Sequence, residues 1–394
     1  MSYKYQLIIL GTPSPIVENL KALFFQKIDD LNLPKDVIRI IDVNNFHSDY
    51  SGNQPAFVYY LGDKDGKFKD LNIVEPLLKD GTMILPIYFT DNSFSNEIPA
   101  ILENQNGIQY EVSEKDRIVN IALESFELLR STRKIFISYR RAESSSVAIQ
   151  MYEALESHSF DVFLDTHTIS KAEPFQEELW HRMTDCDVIL LLNTPKFLES
   201  HWCKEEFAEA SAKQIGIMQL VWPNHEIKKI DSSSHLSYPL QLSEIDFIDG
   251  IYNDKDKSKL VEKIVVEIIQ KVESVRARNL AARQDNLITE FRNIAQRCGK
   301  HVVVQPEKFL TEDLADGKRR IYIPTIGIPQ STSCQSAEIK KEMMNYDVDS
   351  IRLIYDDLRI REKWLKHLDW LNDNFIKDIK TLKKQDFESW LEKN

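Results

Sequence analysis

Glycine is scarce in this chain, at 11 of 394 residues. Neither G-x-G-x-x-G nor G-x-x-x-x-G-K-[ST] occurs, so the loops whose backbone amides usually cradle phosphates are absent. The stretch GDKDGKF at 62–68 is one residue short of such a loop and places Phe68 where a hydroxyl should reach magnesium, so it reads as a turn. Cysteine is sparse too. Cys186, Cys203, Cys298 and Cys334 are scattered with no C-x-x-C pair, so neither a disulfide framework nor a zinc ribbon is indicated and a reducing cytoplasm fits best. Long apolar runs are missing: Leu7 to Leu10 is too brief for a signal-peptide core, and nothing downstream approaches the roughly eighteen residues of a membrane span. No excess of positive charge exists either. The 62 acidic against 50 basic side chains leave −12, which disfavours nucleic acid as a partner. The common catalytic signatures G-x-S-x-G, H-E-x-x-H and H-x-E with P-C-x-x-C are also absent. His201 and Cys203 flank Trp202 and would point to different faces of a helix, so no metal site is expected.

What is present is the material of a folded chain, 42% hydrophobic and 28% charged, long enough for two or three domains. From Tyr5 to Leu129, the β-rich runs YQLIILG, VIRIIDV, AFVYYLG and MILPIYF alternate with helical periodicity, as at Ile16, Leu20, Leu23 and Phe24. A second unit begins at Lys134: strands KIFISYRR, FDVFLDTH, DVILLLN and IGIMQLVWP are separated by amphipathic segments. It closes with Leu260, Ile264, Ile268 and Val272 at four-residue steps, near Arg278. Near-continuous apolar strands separated by helices imply parallel sheets buried on both faces. In both halves the last long strand is followed by a polar loop, two short apolar runs (IPAIL and NGIQY, then YPLQL and IDFIDG) and a closing helix, which suggests one fold in tandem. Beyond residue 280, HVVVQP, RRIYIPTIGIP and SIRLIYDD read as strands. The tail from Leu358 to Leu391 reads as helical, with Trp364, Trp370 and Trp390 mostly in the core and one or two exposed.

Trp202 and Glu206 stand four apart on an expected helix, one above the other, while Glu205 is rotated about 100° away. A flat aromatic then sits beside one carboxylate. Tyr139 and Arg140 follow the first strand of the second unit, at the sheet edge where ligands of α/β folds bind; Arg140 is placed to meet a phosphate or to remain a solvated surface cation. Asp165 ends the second strand on the same edge, where capping or turn formation is its other role.

The set KIFISYRR, FDVFLDTHTISKAEPF, DVILLLN and SHWCKEEFAEA, in this order over roughly residues 132 to 275, resembles a TIR domain. Phe136 to Tyr139 match its first-strand box, Asp165 to Phe175 its BB loop, and Trp202 to Glu206 the W-x-x-x-E pattern of NAD-cleaving members. The loop departs from the commoner form, with Lys171-Ala172-Glu173-Pro174 in place of a glycine-containing turn.

The resemblance implies an α/β architecture: a flavodoxin-like parallel-sheet TIR domain at 131–279, flanked by a TIR-like, non-catalytic α/β domain at 1–130 and a C-terminal α/β regulatory or sensing region at 280–394. It implies Glu206 as the catalytic residue, with Tyr139, Arg140, Asp165, Trp202 and Phe175 around the substrate. NAD is then substrate, no cofactor or metal is needed, and the setting is immune signalling, against phage if the source is bacterial. Self-association through the TIR domain and an activating protein or ligand are the implied partners, with no membrane. The nicotinamide of NAD is already cationic and leaves as a neutral pyridine, so one carboxylate suffices to stabilise the charge developing at the anomeric carbon. A non-enzymatic TIR scaffold signalling by assembly is the alternative, and nucleoside or deoxyribosyl transfer a third. The first unit has no W-x-x-x-E in LNIVEPLLKDG, so it is expected to be catalytically silent.

Overall fold

A computed structural model describes residues 5–52, 54–91, 93–164, 175–197, 215–225, 237–305, 307–343, 347–374 and 378–394. Its contacts divide the chain into two compact units, Met1–Ser131 and Thr132–Asn394.

In the first unit, five parallel strands, β1 (Tyr5–Gly11), β2 (Ile38–Ile41), β3 (Ala56–Leu61), β4 (Met83–Tyr88) and β5 (Ile108–Gln109), form one sheet in the order β2-β1-β3-β4-β5. The apolar runs of β1 and β3 are buried on both faces, as a parallel sheet sandwiched by helices requires. Helix α1 (Ile16–Asp30) buries the stripe Leu20, Phe24 and Ile28 beside α3 (Lys115–Ser125), whose Ile118 carbonyl accepts the Tyr59 hydroxyl. Helix α2 (Leu71–Lys79) packs Ile73, Val74 and Leu77 in a separate cluster with Ile8, Val58 and Ile84. Gly11 ends β1 at φ +91°, and a Cβ there would lie 2.2 Å from the Leu61 carbonyl oxygen, so only glycine fits. The 62–68 stretch is a turn, with Asp63 accepting the amides of Asp65 and Lys67.

The second unit opens with another all-parallel sheet: β6 (Lys134–Ser138), β7 (Asp161–Leu164), β8 (Val188–Asn193), β9 (Gly216–Val221) and β10 (Ser237–Gln241), ordered β10-β9-β8-β6-β7. Read from the other side this is 2-1-3-4-5, the flavodoxin-like order, and the first sheet has the same one. The parallel between the two halves is thus a repeat of topology. Pro239 is tolerated because β10 is an edge strand. On one face, α4 (Arg141–Ser157) packs Val147, Met151 and Leu155 with the first half of α6 (Glu262–Arg297). On the other, α5 (Phe175–Thr184) contributes Leu179 and Met183.

Helix α6 differs from the sequence expectation: instead of closing near Arg278 it runs on to Arg297, 36 residues or about 54 Å. The reason is continued apolar spacing. Val265, Ile268, Ile269, Val272 and Val275 face the core of β6–β10, whereas Leu287, Ile288, Phe291 and Ala295 enter a second core. One rod therefore serves both, and position 279/280 falls inside it. Two buried ion pairs bind its first half to the sheet: Arg276 Nε to Asp187 Oδ2 at 2.9 Å, both side chains at 0% exposure, and Arg133 with Glu273. Asn279 fills the space left by Gly216, where a Cβ would lie 1.2 Å from its Nδ2.

The second core belongs to a mixed sheet, β11 (Val302–Val304), β12 (Leu310–Asp313), β13 (Arg319–Pro324), β14 (Val348–Tyr355) and β15 (Ile379–Lys383), in that spatial order. Its first three strands are antiparallel and its last three parallel. Helix α7 (Ser331–Met343) covers one face with Ala337, while the end of α6 and α9 (Phe387–Lys393) cover the other. The tail is not uniformly helical. Helix α8 (Glu362–Asn374) gives way to β15, because Ile379 and Leu382 are drawn into the sheet beside β14. Trp390 packs on the core, whereas Trp364 and Trp370 are 41% and 50% exposed. Among the described residues, no helix is long and apolar enough to cross a membrane.

Candidate functional site

In a 2-1-3-4-5 sheet, chains leaving neighbouring strands 1 and 3 depart to opposite faces, and the crevice between their carboxyl ends is where ligands settle. Here those strands are β6 and β8. The chain beyond β6 enters α4, which packs on the face carrying Val147; the chain beyond β8 reaches Phe197, buried in the opposite cluster with Leu179. Tyr139 and Arg140 thus stand at one lip and Asn193 to Lys196 at the other.

Tyr139 is 7% exposed and its ring belongs to the core with Ile137 and Val147. It can shape the crevice wall but presents little surface to a ligand. Arg140 has extended backbone, φ −92° and ψ 112°, which turns the chain from strand into helix. Its guanidinium donates to the Lys196 carbonyl at 2.8 Å and lies 3.7 Å from Glu143 Oε2. The same Glu143 oxygen accepts the Thr194 hydroxyl at 2.6 Å. These contacts stitch the two lips together, and they match the Arg140 charge with a carboxylate.

Beneath the lips lies a buried polar floor. Asn193, 2% exposed at the end of β8, donates from Nδ2 to Gln219 Oε1 at 3.1 Å. Its Oδ1 is 3.2 Å from His225 Nε2, which must then carry the proton. Trp222 donates from its indole nitrogen to the Tyr252 carbonyl at 2.7 Å and fixes the loop that carries His225. Ser138, Ser144 and Thr194 are also at 1% exposure or less. A floor of hydrogen-bonding groups between apolar strands is costly unless paired, and this one is paired. The paired floor fixes the two strand exits, and the partly exposed Arg140 guanidinium and Glu143 carboxylate at the rim are the groups a polar ligand would meet.

Of the residues expected from the sequence, Tyr139 and Arg140 are brought to this edge. Phe175 opens α5, at the far end of the connection from β7, which itself ends at Leu164 opposite Ile137. The Phe175 side chain, Asp165, Trp202 and Glu206 lie outside the described residues. Glu143, Asn193, Thr194 and His225 were not expected. A signal for two neighbours existed: DVILLLN ends an apolar run in Asn, and IGIMQLV carries a lone Gln, polar residues that a fully buried strand keeps only when they pair. Among the described residues, no three His, Cys, Asp or Glu side chains group as a metal site.

A family model for the TIR domain matches residues 135–265. No curated protein matches the chain. Among solved structures, tagatose-6-phosphate ketose/aldose isomerase from Escherichia coli aligns at 9% identity over 72% of this chain and 82% of that one. Its TM-score of 0.21 carries no argument about fold.

Proposed function

We propose, from the match of a TIR-domain family model to residues 135–265, that this chain is an NAD+ nucleosidase of TIR type. It cleaves the nicotinamide–ribose bond with Glu206 as the catalytic carboxylate. The observation that carries this reading is the family match itself, which spans both the strand exits at Arg140 and Asn193 and the Trp202-x-x-x-Glu206 pair. Glu206 binds the ribose hydroxyls and stabilises the oxocarbenium-like charge as neutral nicotinamide departs. Trp202 supplies a flat face beside it, Arg140 serves the diphosphate, and Asp165 and Phe175 contribute to substrate binding. The departing nicotinamide keeps the electron pair of the broken bond, and water then bonds to the anomeric carbon and releases a proton; no cofactor takes part.

A cytoplasmic enzyme of this kind would drain its own cell, so activity is gated by self-association or by an activating molecule, as immune and antiviral signalling demands. The Arg140–Glu143 contact favours a second reading. Arg140 has to be drawn from its carboxylate to meet a phosphate, a small cost for a partly exposed pair, and a non-enzymatic scaffold needs no such exchange.

Incubating the purified full chain with NAD+ and measuring nicotinamide release separates the two. Cleavage whose rate per molecule rises with chain concentration is expected, with Glu206→Ala losing on the order of a hundredfold or more and Glu205→Ala remaining close to wild type. Undiminished turnover in Glu206→Ala would remove the site assignment, and no cleavage at any concentration would leave the scaffold.

A further inference from the structure

Within the second unit, a cleft of about 790 Å³ opens between the amino ends of β6–β8 and the C-terminal sheet's helices. Lys134 begins β6, Asp161 begins β7, and Asp185 and Cys186 precede β8, so this cleft lies at the end of the sheet opposite Arg140 and Asn193. Its far wall comes from Ile328 to Ser331, α7 and α8. The volume falls within the roughly 300–1,000 Å³ of small-molecule sites.

The walls are held firmly. Asp185 Oδ1 accepts the Ile328 amide at 2.9 Å, and Glu178 accepts Arg361 from the far wall at 2.6 Å. His181, 4% exposed, stacks on Trp364 with centroids 5.6 Å apart and planes at 19°. His367 adds further ring surface, and Gln330, Ser331 and Thr381 add amide and hydroxyl groups, while the Phe163 ring is already covered by Phe136 on one face and Arg182 on the other.

Charge narrows the occupant. The lining holds two cations, Lys134 and Arg182, against three carboxylates, Asp161, Glu178 and Asp185. Both cations are already committed: Lys134 to Asp185, and Arg182 to Glu178 at 2.9 Å. Burial keeps His181 neutral, its pKa lowered to about 4. Arg361, paired with Glu178 from the far wall, brings the cations to three against three carboxylates, so a phosphate would meet a charge-balanced wall whose lining cations are already paired, whereas a flat uncharged ring would meet an aromatic face and hydrogen-bonding edges.

We infer that this cleft binds an uncharged nucleoside, its base against Trp364 and its ribose hydroxyls toward Gln330, Ser331 and Thr381. Such a ligand touches the TIR domain and the C-terminal region at once, so its binding bears on how firmly the two are held together.

The test is calorimetric titration of the full chain with adenosine, guanosine, cytidine and uridine, and with the corresponding 5′-monophosphates. At least one nucleoside should bind, with its monophosphate weaker. Trp364→Ala, at an exposed position, should weaken binding roughly fivefold or more, since stacking on one base is worth about 1–3 kcal/mol. Ser331→Trp, also at an exposed position, should fill the cleft and abolish binding. No nucleoside binding up to about 1 mM overturns the inference. So does a monophosphate that binds as tightly as its nucleoside, or binding that Ser331→Trp leaves intact. The readout is binding, so the outcome is independent of NAD+ cleavage.

Discussion

Consider replacing Arg276 by methionine. Its guanidinium is wholly buried and donates from Nε to Asp187 Oδ2 at 2.9 Å, and Asp187 is equally buried. Asp187 also accepts the Lys134 amide at 3.3 Å, while its own amide donates to the Lys134 carbonyl at 2.8 Å. The pair therefore pins α6 to the point where β6 and β8 begin. Methionine leaves a desolvated carboxylate with backbone donors but without its cation, and stranding one member of a buried pair costs about 3–5 kcal/mol. With a denaturant slope near 3 kcal/mol/M, the upper end for ordinary domains, the urea midpoint of the second unit should fall by about 1 M or more. The double variant Arg276→Met with Asp187→Asn removes both charges, keeps volume and retains an acceptor for the Lys134 amide. It should recover most of that loss, because a neutral packed pair costs little relative to the ionic one. Urea unfolding followed by circular dichroism and tryptophan fluorescence measures both. A midpoint shift under about 0.3 M for Arg276→Met, or a double variant as damaged as the single, would refute the claim that this pair anchors the helix.

Two other perturbations probe the same unit. Burial lowers the pKa of His181 to about 4, against the upward pull of Glu178 and Asp185 and with help from Arg182 and Arg361. Its folded value lies below the unfolded one, so its contribution is intact above pH 6.5 and is lost as pH falls toward 4, about 3 kcal/mol in all; His181→Gln should flatten melting temperature against pH across that window, and an unchanged slope would contradict it. Gly216→Ala should cost about 1–3 kcal/mol by driving a methyl into Asn279, and Asn279→Ala in the same chain should restore the melting temperature. A single variant as stable as wild type would show that Asn279 has room to move.

The α/β character was legible because strands such as VILLLN and GIMQLV are apolar on both faces, a pattern that only a sheet covered by helices on both sides accommodates. The strand order was not contained in that pattern; it entered through the family resemblance, and the pairing of β6 with both β7 and β8 supplies it directly. The end of α6 is not legible in the sequence, because the apolar stripe changes partner around Asn279 without changing period, so periodicity alone cannot mark where one core stops. In the tail, Ile379 and Leu382 interrupt a charged, helix-favouring stretch too briefly for local propensity to outweigh it, and the neighbouring β14 decides the matter.

The candidate site divides along the same line. The position of Arg140 relative to the sheet is legible in the sequence, since a residue just past a central parallel strand must emerge at its carboxyl edge. Its partners were beyond reach of spacing arguments: Lys196 lies 56 positions away, and Thr194 lies 51 from the Glu143 that joins it to the network. Such contacts are set by which strands are neighbours. Once β6 and β8 are adjacent, Glu143 on the first turn of α4 meets the residue that follows Asn193, and the guanidinium is drawn into the same network. For Arg140 to serve a diphosphate it must exchange Glu143 for the ligand. Catalysis would then begin with breaking a partly exposed ion pair, an interaction worth at most about 1 kcal/mol in such surroundings and well within what substrate binding supplies.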